Sequence, residues 1–121
     1  MAGETALRAR CLRLVGPLAL ALVAHAGHAG VPTLAECDEA SDFIANAAHA
    51  RDNGMQRDAF LERMQADFAT VRAFPSALRW FARDDADERF LIDAAAAVFD
   101  SPRAPSQHRA AFLALCRARA A

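Results

Sequence analysis

The sequence predicts an all-α protein, a compact bundle of about five helices closed by one disulfide between the first and last helices of the mature chain. Three observations carry this. No segment shows the period-two alternation of a strand. Beyond the first thirty residues, glycine and proline fall between runs of helical spacing rather than inside them. Two cysteines, Cys37 and Cys116, lie near opposite ends of that remainder, each on the apolar face of its helix.

Composition sets the bounds. At 121 residues, with 55% hydrophobic and 24% charged residues, the chain fits a single domain and is too apolar to be disordered. All 14 basic residues are arginine, and they are scattered rather than clustered. The formal charge of -1 and a pI near 6.4 argue against a nucleic-acid partner, because neutralising phosphates requires a concentrated basic face.

The first thirty residues read as a signal peptide. Arg8, Arg10 and Arg13 precede an apolar run from Leu14 to Ala24, and the small-residue stretch Ala24 to Gly30 follows. The run is about half of the roughly 20 residues a membrane span requires, so no stable anchor is expected after cleavage. Small residues permit cleavage after Ala26 or after Ala29. Both cuts remove Cys11 and His25, and the later one also removes His28. Cys37 does not fit a lipidation site, because Glu36 stands where a small residue is needed and the apolar run ends well upstream. The expected organisation is residues 1–29 as signal peptide and residues 30–121 as a single helical domain, periplasmic or secreted. From Gly30 onward, 11 arginines stand against 14 acids, a mildly acidic balance.

Within that domain, Thr33 and Glu36 form a capping box that opens the first helix. Leu34, Cys37, Ala40, Ser41, Ile44, Ala47 and Ala48 share its apolar face, with Glu36, Glu39, Asp42, Asn46 and His49 mostly opposite. Asn53-Gly54 ends it. The second helix, from about Gln56 to Ala73, carries the strongest amphipathic signal, with Phe60, Leu61, Met64, Phe68 and Val71 on one stripe. Pro75 breaks the run. A short third helix is expected over Ser76 to Arg83, burying Phe74, Ala77, Leu78 and Phe81. Asp85 and Glu88 form a second capping pair, opening a fourth helix with Phe90, Leu91, Ala94, Ala95 and Val98 inward. Ser101-Pro102 and Pro105 close it. A fifth helix, from about Ser106, places His108, Ala111, Phe112, Leu115 and Cys116 on one face, and Arg117 and Arg119 suit the negative end of its dipole.

Packing the last helix on the first would bring Cys37 and Cys116 together. An exported domain this small buries a limited fraction of its surface and benefits from a covalent link.

Known catalytic and binding motifs are missing. Only Gly30 and Gly54 remain beyond the leader, which leaves no glycine-rich phosphate loop. There is no H-E-x-x-H, C-x-x-C or G-x-S-x-G. No catalytic residue, metal ligand set or cofactor is therefore assigned. The acidic run Asp84-Asp85-Ala86-Asp87-Glu88 fails as an EF-hand, since Phe90 and Ala96 stand where glycine and glutamate are needed. It reads as acids at a helix start. Three residues stand out. His108 and Arg51 fall on apolar stripes and are expected to be buried polar groups, His108 bonded to a backbone carbonyl and Arg51 pairing with a carboxylate or capping carbonyls near the Gly54 turn. Trp80 falls off its helix's main stripe and is the candidate partner contact.

Arg51-Asp52-Asn53-Gly54 after a cysteine-bearing first helix, followed by a proline-marked segment and Cys116, resembles small exported two-cysteine helical proteins of proteobacteria. The resemblance implies an exported helical domain and carries no activity with it.

The expected function is a periplasmic or secreted module that binds another protein, as an inhibitor or immunity factor does. An acid-stress periplasmic chaperone is the alternative, and a small enzyme the third. Protein recovered from the periplasmic fraction should lack its first 26 or 29 residues by intact mass, and a full-length mass there would defeat the signal-peptide reading.

Overall fold

The computed structural model describes residues 32–120, and the segment read as a signal peptide lies outside the described residues. Four α-helices form the fold: α1 (Leu34–Asp52), α2 (Arg57–Val71), α3 (Asp85–Asp100) and α4 (Pro105–Ala120), with a single 3₁₀ turn at Ser76–Leu78 between α2 and α3. No strand occurs among the described residues. The all-α expectation holds, with four helices rather than about five.

α1 starts at the expected capping box. The Thr33 side chain accepts from the Glu36 N–H while the Glu36 carboxylate accepts from the Thr33 N–H. At the other end Gly54, with φ of +93°, turns the chain so that the Met55 N–H reaches the Ala50 carbonyl. Cys37, Ala40, Ser41, Ile44, Ala47 and Ala48 are all buried on its inner face. Most are small, which lets α4 lie close against α1, and that is the most extensive helix contact in the molecule. α4 answers with His108, Phe112 and Cys116, spaced i, i+4, i+8 along one line.

The disulfide sits on this seam. Cys37 and Cys116 are bonded across a sequence separation of 79, with 5.6 Å between their Cα atoms and neither residue exposed. Two surface pairs flank it, Asp38 with Arg117 at 3.2 Å and Asp42 with Arg109 at 2.7 Å. Their order reverses between the helices, so α1 and α4 are antiparallel. Pairs this exposed contribute little to stability and more to register.

α2 packs on α3 rather than entering the seam. Arg57 at its start bonds Asp100 at the end of α3, and Arg72 just past its end bonds Glu88 at the start of α3, which makes these helices antiparallel as well. A run of tilted rings, Phe43 to Phe60 at 5.8 Å and Phe60 to Phe99 at 5.4 Å, joins α1, α2 and α3.

Four expectations need correction. The third helix is one 3₁₀ turn, and Phe74, Ala77 and Leu78 are exposed, Phe74 at 55% and Leu78 at 73%. The cause is local. Arg79 takes the carbonyls of Phe74, Arg72 and Arg83, and the chain reverses at Phe81, so an i to i−4 ladder cannot propagate. The capping pair of α3 is displaced by one residue: Asp84, in extended conformation, accepts from the Asp87 N–H, while Glu88 turns to Arg72. On α4, Ala111 is exposed and Leu115 is 62% exposed, because α1 covers only the line through His108, Phe112 and Cys116. Leu34, at the open end of α1, is also exposed rather than on the buried stripe.

Replacing both Cys37 and Cys116 by serine removes a constraint on a loop of 79 residues. The chain-entropy argument puts the loss at about 4.5 kcal/mol. Urea titration of the two forms should show that difference in unfolding free energy, and equal midpoints would rule out a stabilising role for the bond.

Candidate functional site

Residues 72–84, which link α2 to α3, are short of regular structure and rich in internal bonding. The Arg79 guanidinium donates to Phe74 O at 2.8 Å, Arg72 O at 3.1 Å and Arg83 O at 3.2 Å, gathering the segment around one planar fork. The Ala82 N–H returns to the Trp80 carbonyl, closing a three-residue turn centred on Phe81. Phe81 has φ of +55° and is the one non-glycine residue with positive φ among the described residues. A bulky side chain in that region of backbone space costs roughly 1 kcal/mol or more, so the surroundings must hold it there.

They do so with an aromatic cluster and buried charge. The Phe81 ring, fully buried, packs against Phe90 at 6.3 Å and Phe112 at 6.2 Å. Its N–H donates to Glu36 Oε2. Glu36 Oε1 accepts from Arg83 Nη2 at 2.8 Å, the Arg83 N–H donates to Asp87 Oδ2 at 3.2 Å, and Asp87 Oδ1 accepts from Arg119 Nη2 at 3.0 Å. The Arg119 guanidinium also stands 4.7 Å over the Phe90 ring. α1, the linker, α3 and α4 are thus joined at one point.

The turn sets two neighbouring aromatic residues to opposite tasks. Phe81 goes into the core, while Trp80 stands at the surface, 41% exposed, with its ring 5.6 Å from that of Phe81. The Trp80 Nε1–H donates to Glu39 Oε2 at 2.6 Å, which fixes the indole. Beneath it opens a cavity of about 210 Å³. Met64, Phe68 and Leu91, all buried, form its floor, half-buried Phe43 and Val71 form its walls, and Asp67 and Trp80 form its rim. Phe74 and Leu78, on the same linker, are also exposed.

The other two residues singled out in the sequence lie elsewhere. In the last turn of α1, Arg51 donates to Val98 O, Ser101 O and Arg103 O, each at 2.8 Å, and pairs with the adjacent Asp52. It both caps carbonyls, at the end of α3, and pairs with a carboxylate. Buried His108 places Nε2 3.0 Å from the same Ser101 carbonyl and 3.5 Å from Arg51 Nη1. The structure brings these two together as a staple between helix ends, separate from the cavity below Trp80. Among the described residues no three His, Cys, Asp or Glu side chains gather to hold a metal ion, and no helix is long and apolar enough to cross a membrane.

Sequence reasoning missed the chain of contacts from Glu36 to Arg119. Asp87 belongs to an acidic run that reads as a solvated helix start, yet it is fully buried. The available signal was the arginine at 119, positioned to meet an acid across the bundle. No family model matches the chain, nor does any curated protein or solved structure.

Half-buried Glu36 and fully buried Asp87 titrate in opposite senses. Burial alone would push Glu36 up, but hydrogen bonds from Arg83 and from the Phe81 and Thr33 N–H groups outweigh it, holding the carboxyl below its usual 4.5. For Asp87, burial prevails, helped by nearby Asp84, and the bonds from the Arg83 N–H and Arg119 do not offset it, so the carboxyl lies above its usual 3.8. Glu36 therefore contributes stability above pH 4.5 that is lost as pH falls through its lowered folded-state value. Asp87 does the reverse, since the folded state takes up its proton first and the fold gains as pH falls through the raised value toward 3.8. In urea titrations across that range, Glu36→Gln should lose most stability near neutrality and converge with the parent in acid. Asp87→Asn should compare most favourably with the parent near neutrality. Parallel pH profiles for the two variants would contradict the assignment.

Proposed function

We propose that the protein is an exported protein-binding module, in the manner of an inhibitor or immunity factor, that engages its partner through the Trp80 lip and the cavity beneath it. The observation that carries this reading is a half-exposed tryptophan held over an apolar pocket by a turn whose backbone is strained. Strain of this kind persists where the surrounding structure over-determines it, and a rigid aromatic anchor beside a pocket is the usual centre of a protein interface. The volume is below the roughly 300 to 1,000 Å³ of small-molecule sites, which favours a protein side chain as occupant. The buried disulfide is compatible with an oxidising compartment, in keeping with export.

The acid-stress chaperone alternative would draw on Glu36, whose ionised form holds the Phe81 turn, but Asp87 opposes it as pH falls. Acid therefore has no single direction of effect on this network. The third reading, a small enzyme, gains nothing from His108, whose Nε2 is committed to the Ser101 carbonyl.

Two substitutions separate binding from stability. Trp80→Ala removes a partly covered ring and one hydrogen bond, at a cost of about 2 kcal/mol to the isolated fold. Arg51→Ala removes charged hydrogen bonds to three carbonyls, at a cost of about the same size. With both variants checked as folded, capture of the partner from periplasmic extract should fall about thirtyfold in affinity for Trp80→Ala. It should stay at parent level for Arg51→Ala. Equal effects of the two would remove the case for the Trp80 surface.

A further inference from the structure

The rim of the Trp80 cavity carries acidic groups, Asp67 directly and Glu39 through its bond to the indole. Some surface carboxylates have arginine partners, Asp38 with Arg117, Asp42 with Arg109 and Asp100 with Arg57 among them, while Glu62, Asp84, Asp85 and Asp93 have none within ion-pair distance among the described residues. Asp67, on the rim, and Glu39, bonded to the indole N–H, have no cation within ion-pair distance among the described residues. Two uncompensated carboxylates thus flank an exposed indole above an apolar floor. Building on the reading of Trp80 as a partner-binding lip, we propose that the partner is a polypeptide segment that inserts one large apolar side chain into the cavity and sets a neighbouring lysine or arginine over the Trp80 ring, between Glu39 and Asp67.

Each part of that partner follows from a feature of the site. A floor of Met64, Phe68 and Leu91 offers no hydrogen bond and so takes an apolar group, and a cavity of about 210 Å³ has room for one side chain and not for a cofactor. An indole attracts a cation to its face, and its N–H bond to Glu39 places a carboxylate beside that cation. A second copy of this chain is disfavoured, because a two-fold contact through this patch would set Glu39 and Asp67 against the same carboxylates of the other copy. An anionic lipid or phosphate surface is repelled for the same reason.

The test is selection of random phage-displayed peptides on the mature, oxidised protein, followed by titration of synthetic copies. Trp80 is the single tryptophan of the chain, so its emission reports contact directly. The enriched peptides should carry a large apolar residue within two positions of lysine or arginine and should shift that emission. Asp67→Asn, on the exposed face of α2, should weaken them about three- to fivefold, and more in low salt than in high. Peptides that shift the emission without any basic preference, and are indifferent to Asp67→Asn, would overturn the proposed partner while leaving the Trp80 surface in place. An empty selection, or the same peptides recovered on Trp80→Ala, would remove both. Emission that changes with protein concentration alone, alongside a dimeric mass by sedimentation, would give the site to a second copy and overturn the proposal.

Discussion

The seam between α1 and α4 is the constraint on which the other parts of the structure depend. α1 presents alanine, serine and cysteine where a larger domain would present leucine, and the resulting close approach leaves little apolar volume on the seam itself. The disulfide supplies there what side-chain volume does not. Once α1 and α4 are fixed against each other, Phe112 and Phe90 form a wall with 5.5 Å between ring centroids, and Phe81 has a surface to close onto. The linker over residues 72–84 closes onto that surface with Phe81 inward and Trp80 outward.

That arrangement links stability to the candidate site. The backbone at Phe81 is unfavourable taken alone, and it is held by a ring cluster from α3 and α4 and by a carboxylate from α1. The position of Trp80 thus follows from the assembled bundle and not from the linker sequence alone. On the proposed reading, a lip held this way would lose little conformational entropy on docking a partner.

Much of the fold was legible because local signals were strong. Thr33 and Glu36 announce a helix start, Asn53-Gly54 its end, and the spacing of Phe60, Met64 and Phe68 marks α2 without help from tertiary contacts. The disulfide was legible from the expected export and the periodicity together. The linker was not. Phe74, Leu78 and Phe81 look like a helical stripe by spacing, and the competing arrangement is stabilised by Arg79 bonding to carbonyls and by Glu36 reaching from the far side of the bundle, both long-range or irregular contacts without periodicity. The same limit hid Asp87 in a run of acids. Trp80 stood out because it fell off the stripe, but the pocket below it depends on Phe43 and Leu91, from helices that sequence spacing does not bring together.

Among the described residues, the ion pairs are all made by guanidinium groups. Arg51 and Arg79 each hold three carbonyls through a planar fork, whose fixed donors reach over a wider span than those of a compact ammonium group. Guanidinium also keeps its proton at any pH a protein meets. With no lysine in the chain, reagents and enzymes that modify side-chain amines find no target on it.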